Sequence, residues 1–161
     1  MGDRCAFFYG TLMAKAVLHR VCYGPKTPEA WQAQSLTITP AILHAHSRHK
    51  VRGCDYPAIV PTPGTSVRGT FVTGLTEGDL LRLDVFEGDE YERRKVRVKL
   101  LTPDEQEGCD HVEGEGEAEE AETYVWVSGR YRLEEGEWDF ALFVREKMQR
   151  WIGEDEGFAG G

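Results

Sequence analysis

Cys5-Ala6-Phe7-Phe8-Tyr9-Gly10-Thr11-Leu12-Met13 is the stretch from which the rest of the chain is best read. Cys5 to Tyr9 is a short apolar run that ends at a glycine, the pattern of a buried, central strand. Thr11 follows directly, with a side-chain oxygen able to cap a helix, and Leu12, Val17, Leu18 and Val21 recur at helical spacing until Gly24-Pro25 stops the pattern. A strand, a glycine and a helix make a corner. Its helix N-terminus carries unpaired N–H groups and the positive end of a dipole, and the glycine lets a ligand approach the backbone without meeting a Cβ. Tyr9, Gly10, Thr11 and Leu12 would supply main-chain donors to a carboxylate, with the Tyr9 ring as a wall. The alternative is an ordinary turn ahead of a capped helix.

Outward from this corner, Leu36 to His46 reads as a strand around Pro40, which must lie at an edge or bulge because it donates no ladder hydrogen bond. Pro57 to Val60 is a short strand turned by Pro61 and Pro63, and Val67 to Leu75 a strand bent at Gly69 and Gly74. Thr76-Glu77-Gly78-Asp79 predicts a capping box, Leu80, Leu83 and Asp84 share one helical face, and the helix should end near Phe86-Glu87-Gly88. Tyr91 to Leu101 alternates, with Val96, Val98 and Leu100 on one face and Lys95, Arg97 and Lys99 on the other. Thr123 to Ser128 would pair with it as a long-looped hairpin. Glu137 to Ile152 predicts an amphipathic helix that turns Trp138, Ala141, Leu142, Met148 and Trp151 toward the core. The expected class is α/β in its α+β form: a curved mixed sheet or partial β-barrel with a few outer helices. One domain over residues 1–153, followed by a flexible tail at 154–161, accounts for the chain.

The 161 residues carry a formal charge of -9, and the excess sits in one place: ten acids and no Lys or Arg lie between Asp104 and Glu122. Without those ten, 18 acidic residues face 19 basic ones, so no positive surface is left over for a nucleic acid. The run itself reads as a solvated, disordered acidic loop over 104–122. No stretch approaches the roughly 20 apolar residues of a bilayer span, and the first residues show neither a basic n-region nor a cleavage site. The expected setting is soluble and cytoplasmic, with no membrane partner.

Cys5, Cys22, Cys54 and Cys109 are too scattered for a zinc knuckle or redox pair and read as free thiols. His44 and His46 would share one face of a strand with His49 close by, and three imidazoles can hold a metal, although no familiar ligand spacing completes the set. Hydrolase, metalloprotease and nucleotide-binding motifs are missing.

Leu83-Asp84-Val85-Phe86-Glu87-Gly88-Asp89-Glu90-Tyr91-Glu92-Arg93-Arg94 holds a second candidate. Glu87 stands where a helix ends, so the local carbonyl dipoles disfavour its charge and burial would raise its pKa toward neutrality, as suits a general base. Left exposed, it is one acid among 28. Tyr91 and Arg93 would orient or charge-balance it.

The ordered set FFYGTLM, YPAIV, VRGTFV, LDVFEGDEYERRKV and TYVWV resembles the gamma-glutamylcyclotransferase-like family, which includes gamma-glutamylamine cyclotransferases and the plant avirulence-induced-gene proteins. The likeness runs from about Phe7 to Trp126. It implies a mixed fold around a small cavity, a loop at Tyr9 to Leu12 that binds substrate through backbone amides, a catalytic glutamate at Glu87, and no cofactor or metal. The implied reaction is a transferase or lyase step. The α-amine of a small γ-glutamyl amine, amino acid or isopeptide attacks its own side-chain carbonyl, closing 5-oxoproline and releasing the attached amine. Glu87 would move the proton, the loop amides would hold either the α-carboxylate or the oxyanion, and Tyr131 would line the pocket. The chain departs from its relatives at Thr11, where some have Ser, and lacks the pattern of the glutathione-specific branch. Two rivals remain open: a non-catalytic binding module for a pyroglutamate-like or carboxylate ligand, and a metal-dependent hydrolase using His44, His46 and His49.

Overall fold

Five strands close into a barrel in the order β1-β3-β2-β4-β5. The computed structural model describes residues 2–24, 36–54, 56–102, 114–135, 138 and 140–148. β1 (Arg4–Phe8) pairs antiparallel with β3 (Pro57–Leu75) over five positions, and meets β5 (Gly114–Trp126) in parallel at a single pair, Ala6 opposite Glu122. β2 (Thr37–Lys50) and β4 (Tyr91–Thr102) complete the circuit, their shared ladder confined to Ala41 and Ile42. The expected α+β class and curved sheet are what the chain forms.

The barrel interior is filled by Phe7, Ile59, Val67, Phe71, Val98 and Val125, each nearly or fully buried. A second apolar layer lies outside the sheet. There Phe8, Val72 and Tyr124 meet α1 (Lys15–Tyr23) through Val17 and Leu18, and α2 (Glu77–Glu87) through Leu80 and Leu83. Because side chains alternate along a strand, Phe7 and Phe8 serve different layers. This outer layer brings α2 over the end of β1.

β2 and β3 show how two predicted strands become one. The ladder runs from Thr37–His44 against Ser66–Thr73, shifts, and resumes from His46–Lys50 against Pro57–Pro61. Residues 62–65 are left over as a bulge opposite Ala45, which takes φ 64°. Pro61 and Pro63 therefore interrupt the pairing without ending the strand. Pro40 lies opposite Thr70, one residue before the β2–β4 pairs begin. The same bulge separates His44 from His46. His44 bonds Ser66 Oγ at 2.8 Å, while His49 reaches the Glu134 carbonyl at 3.0 Å and Ser47 Oγ at 2.8 Å. Among the described residues no group of three His, Cys, Asp or Glu could hold a metal ion.

The acidic run is corrected in its second half. Residues 114–122 belong to β5 and are not loop, because β4 supplies the opposite charges: Arg97 stands across from Glu120 and Lys95 from Glu122. Ala121 and Thr123 on the same strand are buried. Residues 103–113, which contain Cys109 and the first half of the run, lie outside the described residues. So do Trp151 and the tail at 154–161.

At the far end of the chain, helix α3 (Phe140–Leu142) passes into a π-helical turn at Phe143–Lys147. Trp138 is buried and Met148 packs half-buried against the outer apolar layer, as expected, whereas Ala141 is exposed and Phe143 is buried instead. The wider turn changes which residues fall in line.

Candidate active site

Gly10 ends β1's run and starts a single 3₁₀ turn, Thr11–Met13, before α1 begins at Lys15. Thr11 is not the helix cap expected of it: its side chain makes no capping hydrogen bond, is buried, and the residue ahead of α1 is Ala14. The turn is closed by Met13 N–H donating to the Gly10 carbonyl at 2.9 Å, so the N–H groups of Thr11 and Leu12 have no partner within it. The glycine also has a steric role. A Cβ at Gly10 would fall 2.8 Å from Cδ and Cγ of Pro57, so Gly10 makes room for β3 to press against the turn.

Opposite the turn, the capping box of α2 forms as its sequence predicts, with Asp79 N–H donating to Thr76 Oγ1 at 3.0 Å and Thr76 N–H to Asp79 Oδ2 at 3.0 Å. Gly88 terminates the helix with φ 80°, a conformation few residues other than glycine adopt. Start and stop together determine where Glu87 falls: on the last turn, beside Phe86.

Between turn and helix lies a cavity of about 540 Å³, counted out to its open mouth, lined by Tyr9, Gly10, Thr11 and Leu12 on one side and Phe86 and Glu87 on another. Tyr56, Pro57, Tyr91 and Tyr124 supply further walls. Among the described residues Glu87 is the single acidic or basic side chain that lines the cavity. Among the described residues its carboxyl has no ion-pair partner, and burial, followed by the nearby charge of Asp84, pushes its pKa up to about 8.

The tyrosines are tied down. Tyr9 Oη donates to the Tyr124 carbonyl at 2.6 Å, Tyr91 Oη to the Pro57 carbonyl at 2.8 Å, and Tyr124 Oη to Asp84 Oδ1 at 2.7 Å. Burial raises the pKa of each, with the charge of Glu87 adding to the effect. All three are neutral donors at physiological pH.

Two candidates stand apart from the cavity. Arg93 does not line it: the alternation of β4 puts its side chain on the barrel's outer face, where Nη1 is 3.3 Å from Asp84 Oδ1 and Nε 3.1 Å from Glu122 Oε1. Glu122 also pairs with Arg4, which reaches Glu77. Arg93 thus touches Glu87 only through Asp84. Tyr131 is 77% exposed on a 3₁₀ turn, Arg130–Arg132, and is not a pocket residue. Conversely, Tyr56, Pro57, Asp84 and Tyr124 were not singled out by sequence. Tyr124 was legible in principle, since the hairpin register places it opposite Arg93.

The sequence profile of the family described as gamma-glutamyl cyclotransferase, AIG2-like, matches residues 6–140. The chain belongs to this family. Members similar to it include the Arabidopsis thaliana protein AIG2 C, 32% identical over 134 residues, covering 83% of this chain and 68% of that protein. AIG2-like protein D of the same plant is 31% identical over 157 residues, covering 95% of this chain and 87% of its own. Other AIG2 relatives, B and A, are spanned over only 63% and 61% of their lengths. A solution structure of an Arabidopsis thaliana protein superposes with TM-score 0.59 at 28% identity, covering 92% of this chain and 85% of the other. A gamma-glutamyl cyclotransferase structure superposes with TM-score 0.53 at 16% identity over 81% of this chain and 68% of the other, a likeness of fold. In this AIG2-like chain no described helix is long and apolar enough to cross a membrane.

Proposed function

We propose that this AIG2-like protein is a gamma-glutamylcyclotransferase that converts a small γ-glutamyl amine, amino acid or isopeptide to 5-oxoproline, with Glu87 as general base and then acid. The observation that carries the reading is Glu87 itself, a lone carboxyl in a tyrosine-walled cavity opposite the N–H groups of a 3₁₀ turn.

The substrate brings its own nucleophile. Its α-ammonium must lose a proton before the nitrogen can attack the γ-carbonyl carbon, and a carboxyl with pKa about 8 is closely matched to an amine, so transfer between them is nearly level. The attack forms the ring C–N bond, and the carbonyl oxygen takes up negative charge. Glu87 then returns the proton to the departing nitrogen as the old C–N bond breaks and the carbonyl re-forms; the carboxylate next takes the surplus proton of the ring nitrogen and passes it to the released amine, which departs as an ammonium and leaves Glu87 as it began. Binding that folds the substrate upon itself contributes most of the acceleration, because the reaction is intramolecular. In this reading the Thr11 and Leu12 N–H groups donate to the substrate's α-carboxylate or to the developing oxyanion. The tyrosine hydroxyls are engaged with protein acceptors and serve as walls.

The test is to incubate the full chain with a panel of γ-glutamyl amines and γ-glutamyl dipeptides and to quantify 5-oxoproline. Wild type should form it and Glu87→Gln should not. A wild-type protein that binds 5-oxoproline but forms none from any compound would be a binding module, and an active Glu87→Gln protein would overturn the proposed mechanism.

A further inference from the structure

The reading above leaves open what holds the substrate-binding turn in shape. Three contacts fix it from behind. Tyr9 Oη is bonded to the Tyr124 carbonyl, Pro57 abuts Gly10, and Arg48 Nη1 donates to the Tyr9 carbonyl at 2.7 Å. The last joins elements that are not neighbours in the chain. Arg48 stands on β2 opposite Ile59, and the same Nη1 donates to the Arg68 carbonyl of β3 at 3.1 Å. Its guanidinium lies 5.9 Å from the centre of the Trp138 ring, and that tryptophan is 4% exposed. Neither Arg48 nor Trp138 lines the cavity.

A trans peptide points its C=O and the next N–H in opposite directions. With the Tyr9 carbonyl turned to Arg48, the Gly10 N–H is turned away from Arg48, and Gly10 lines the cavity. We propose that Arg48, stacked on Trp138, is a positioning residue that holds the Tyr9–Gly10 peptide so that the Gly10 N–H joins Thr11 and Leu12 in binding the substrate's anionic group. The assignment rests on the cyclotransferase reading, since that reading supplies the ligand. Arginine suits the task better than lysine. One planar nitrogen carries two N–H donors for two carbonyls, and the flat face stacks on indole.

The experiment uses the ¹⁵N-labelled full chain titrated with 5-oxoproline, following the Gly10 amide, alongside KM and kcat for wild type, Arg48→Lys and Arg48→Met. In wild type the Gly10 amide should shift on saturation. Arg48→Met, which keeps the stem but loses the donors, should bind about tenfold more weakly and show a raised KM. The acid limb of its pH profile should stay where Glu87 sets it, and Arg48→Lys should recover part of the loss. Wild-type binding by Arg48→Met, or a Gly10 amide that stays still while Tyr91 and Tyr124 resonances move, overturns the assignment of Arg48 alone. If Arg48→Met does not fold, the wild-type Gly10 resonance decides by the same criterion. A wild-type spectrum in which no resonance responds to 5-oxoproline removes the functional reading, and this inference with it.

Discussion

Asp84 precedes Glu87 by one turn of α2 and its negative charge helps to keep the Glu87 carboxyl protonated. Asp84 is itself compensated, by Tyr124 Oη at 2.7 Å and Arg93 Nη1 at 3.3 Å. Among the described residues Glu87 has no such support. Two carboxyl groups three residues apart on one helix are therefore set in different surroundings, with Asp84 paired and Glu87 held well above the usual carboxylate range.

The pH profile should report this arrangement. In free enzyme kcat/KM should rise through an acid limb near pH 8, the value to which Glu87 is pushed. Asp84→Asn removes a neighbouring negative charge and should move the limb to lower pH. Arg93→Gln uncovers Asp84 and should move it higher. A limb that stays in place in both variants would separate Glu87 from the group that titrates.

Stability should carry the opposite mark of the same carboxyl. Because the folded pKa lies above the unfolded one, the folded state holds the extra proton between about pH 4.5 and 8, and stability falls as pH rises through that window. Glu87→Gln, which cannot ionise, should match wild type in Tm near pH 4.5 and exceed it by a few degrees at pH 8. Thermal melts at the two pH values check this. Activity should fall at least about 100-fold in the same variant, as expected for loss of a general acid–base group.

Gly10→Ala should be costly for a steric reason. The new Cβ at 2.8 Å from the Pro57 ring must displace either the turn or β3, and overpacking of this kind costs about 1–3 kcal/mol. Urea denaturation should show that loss, and KM should rise because the turn amides move. A Gly10→Ala protein with wild-type KM would mean that the turn does not contact substrate.

Tyr91→Phe should leave the Pro57 carbonyl without its hydrogen bond, costing about 1–3 kcal/mol if no water replaces it. Its ring packs edge-on against Trp126 at 5.2 Å, so the wall survives and kcat should change by less than about tenfold. A larger drop would assign the Tyr91 hydroxyl to the chemistry.

What could be read from the sequence was what depends on neighbours along the chain. The Thr76–Asp79 capping box, the stop at Gly88, the alternation of β4 and the break after β1 all formed as predicted, because each is decided within a few residues. Most of the differences involve partners far away. Glu120 and Glu122 are strand residues because Arg97 and Lys95 lie across from them, and no local rule sees that pairing. Pro61 does not end β3 because residues 62–65 bulge opposite Ala45 of another strand and the ladder then resumes. Arg93 was placed near Glu87, yet it acts at one remove through Asp84, since only the assembled barrel shows that its strand face turns outward. Phe143 is buried in place of Ala141 at the point where the helix widens into a π turn.

The barrel's seam carries a consequence for any attempt to rebuild this protein. β1 is five residues long, touches β5 at one parallel pair, and runs directly into the turn at Gly10. Deleting or displacing it would open the cylinder at its thinnest join, bare the long flanks of β3 and β5 to stray strand pairing, and carry away the turn that lines the cavity in the same stroke. Trimming from this end would disable the pocket and invite aggregation together, so shortened versions should be sought elsewhere.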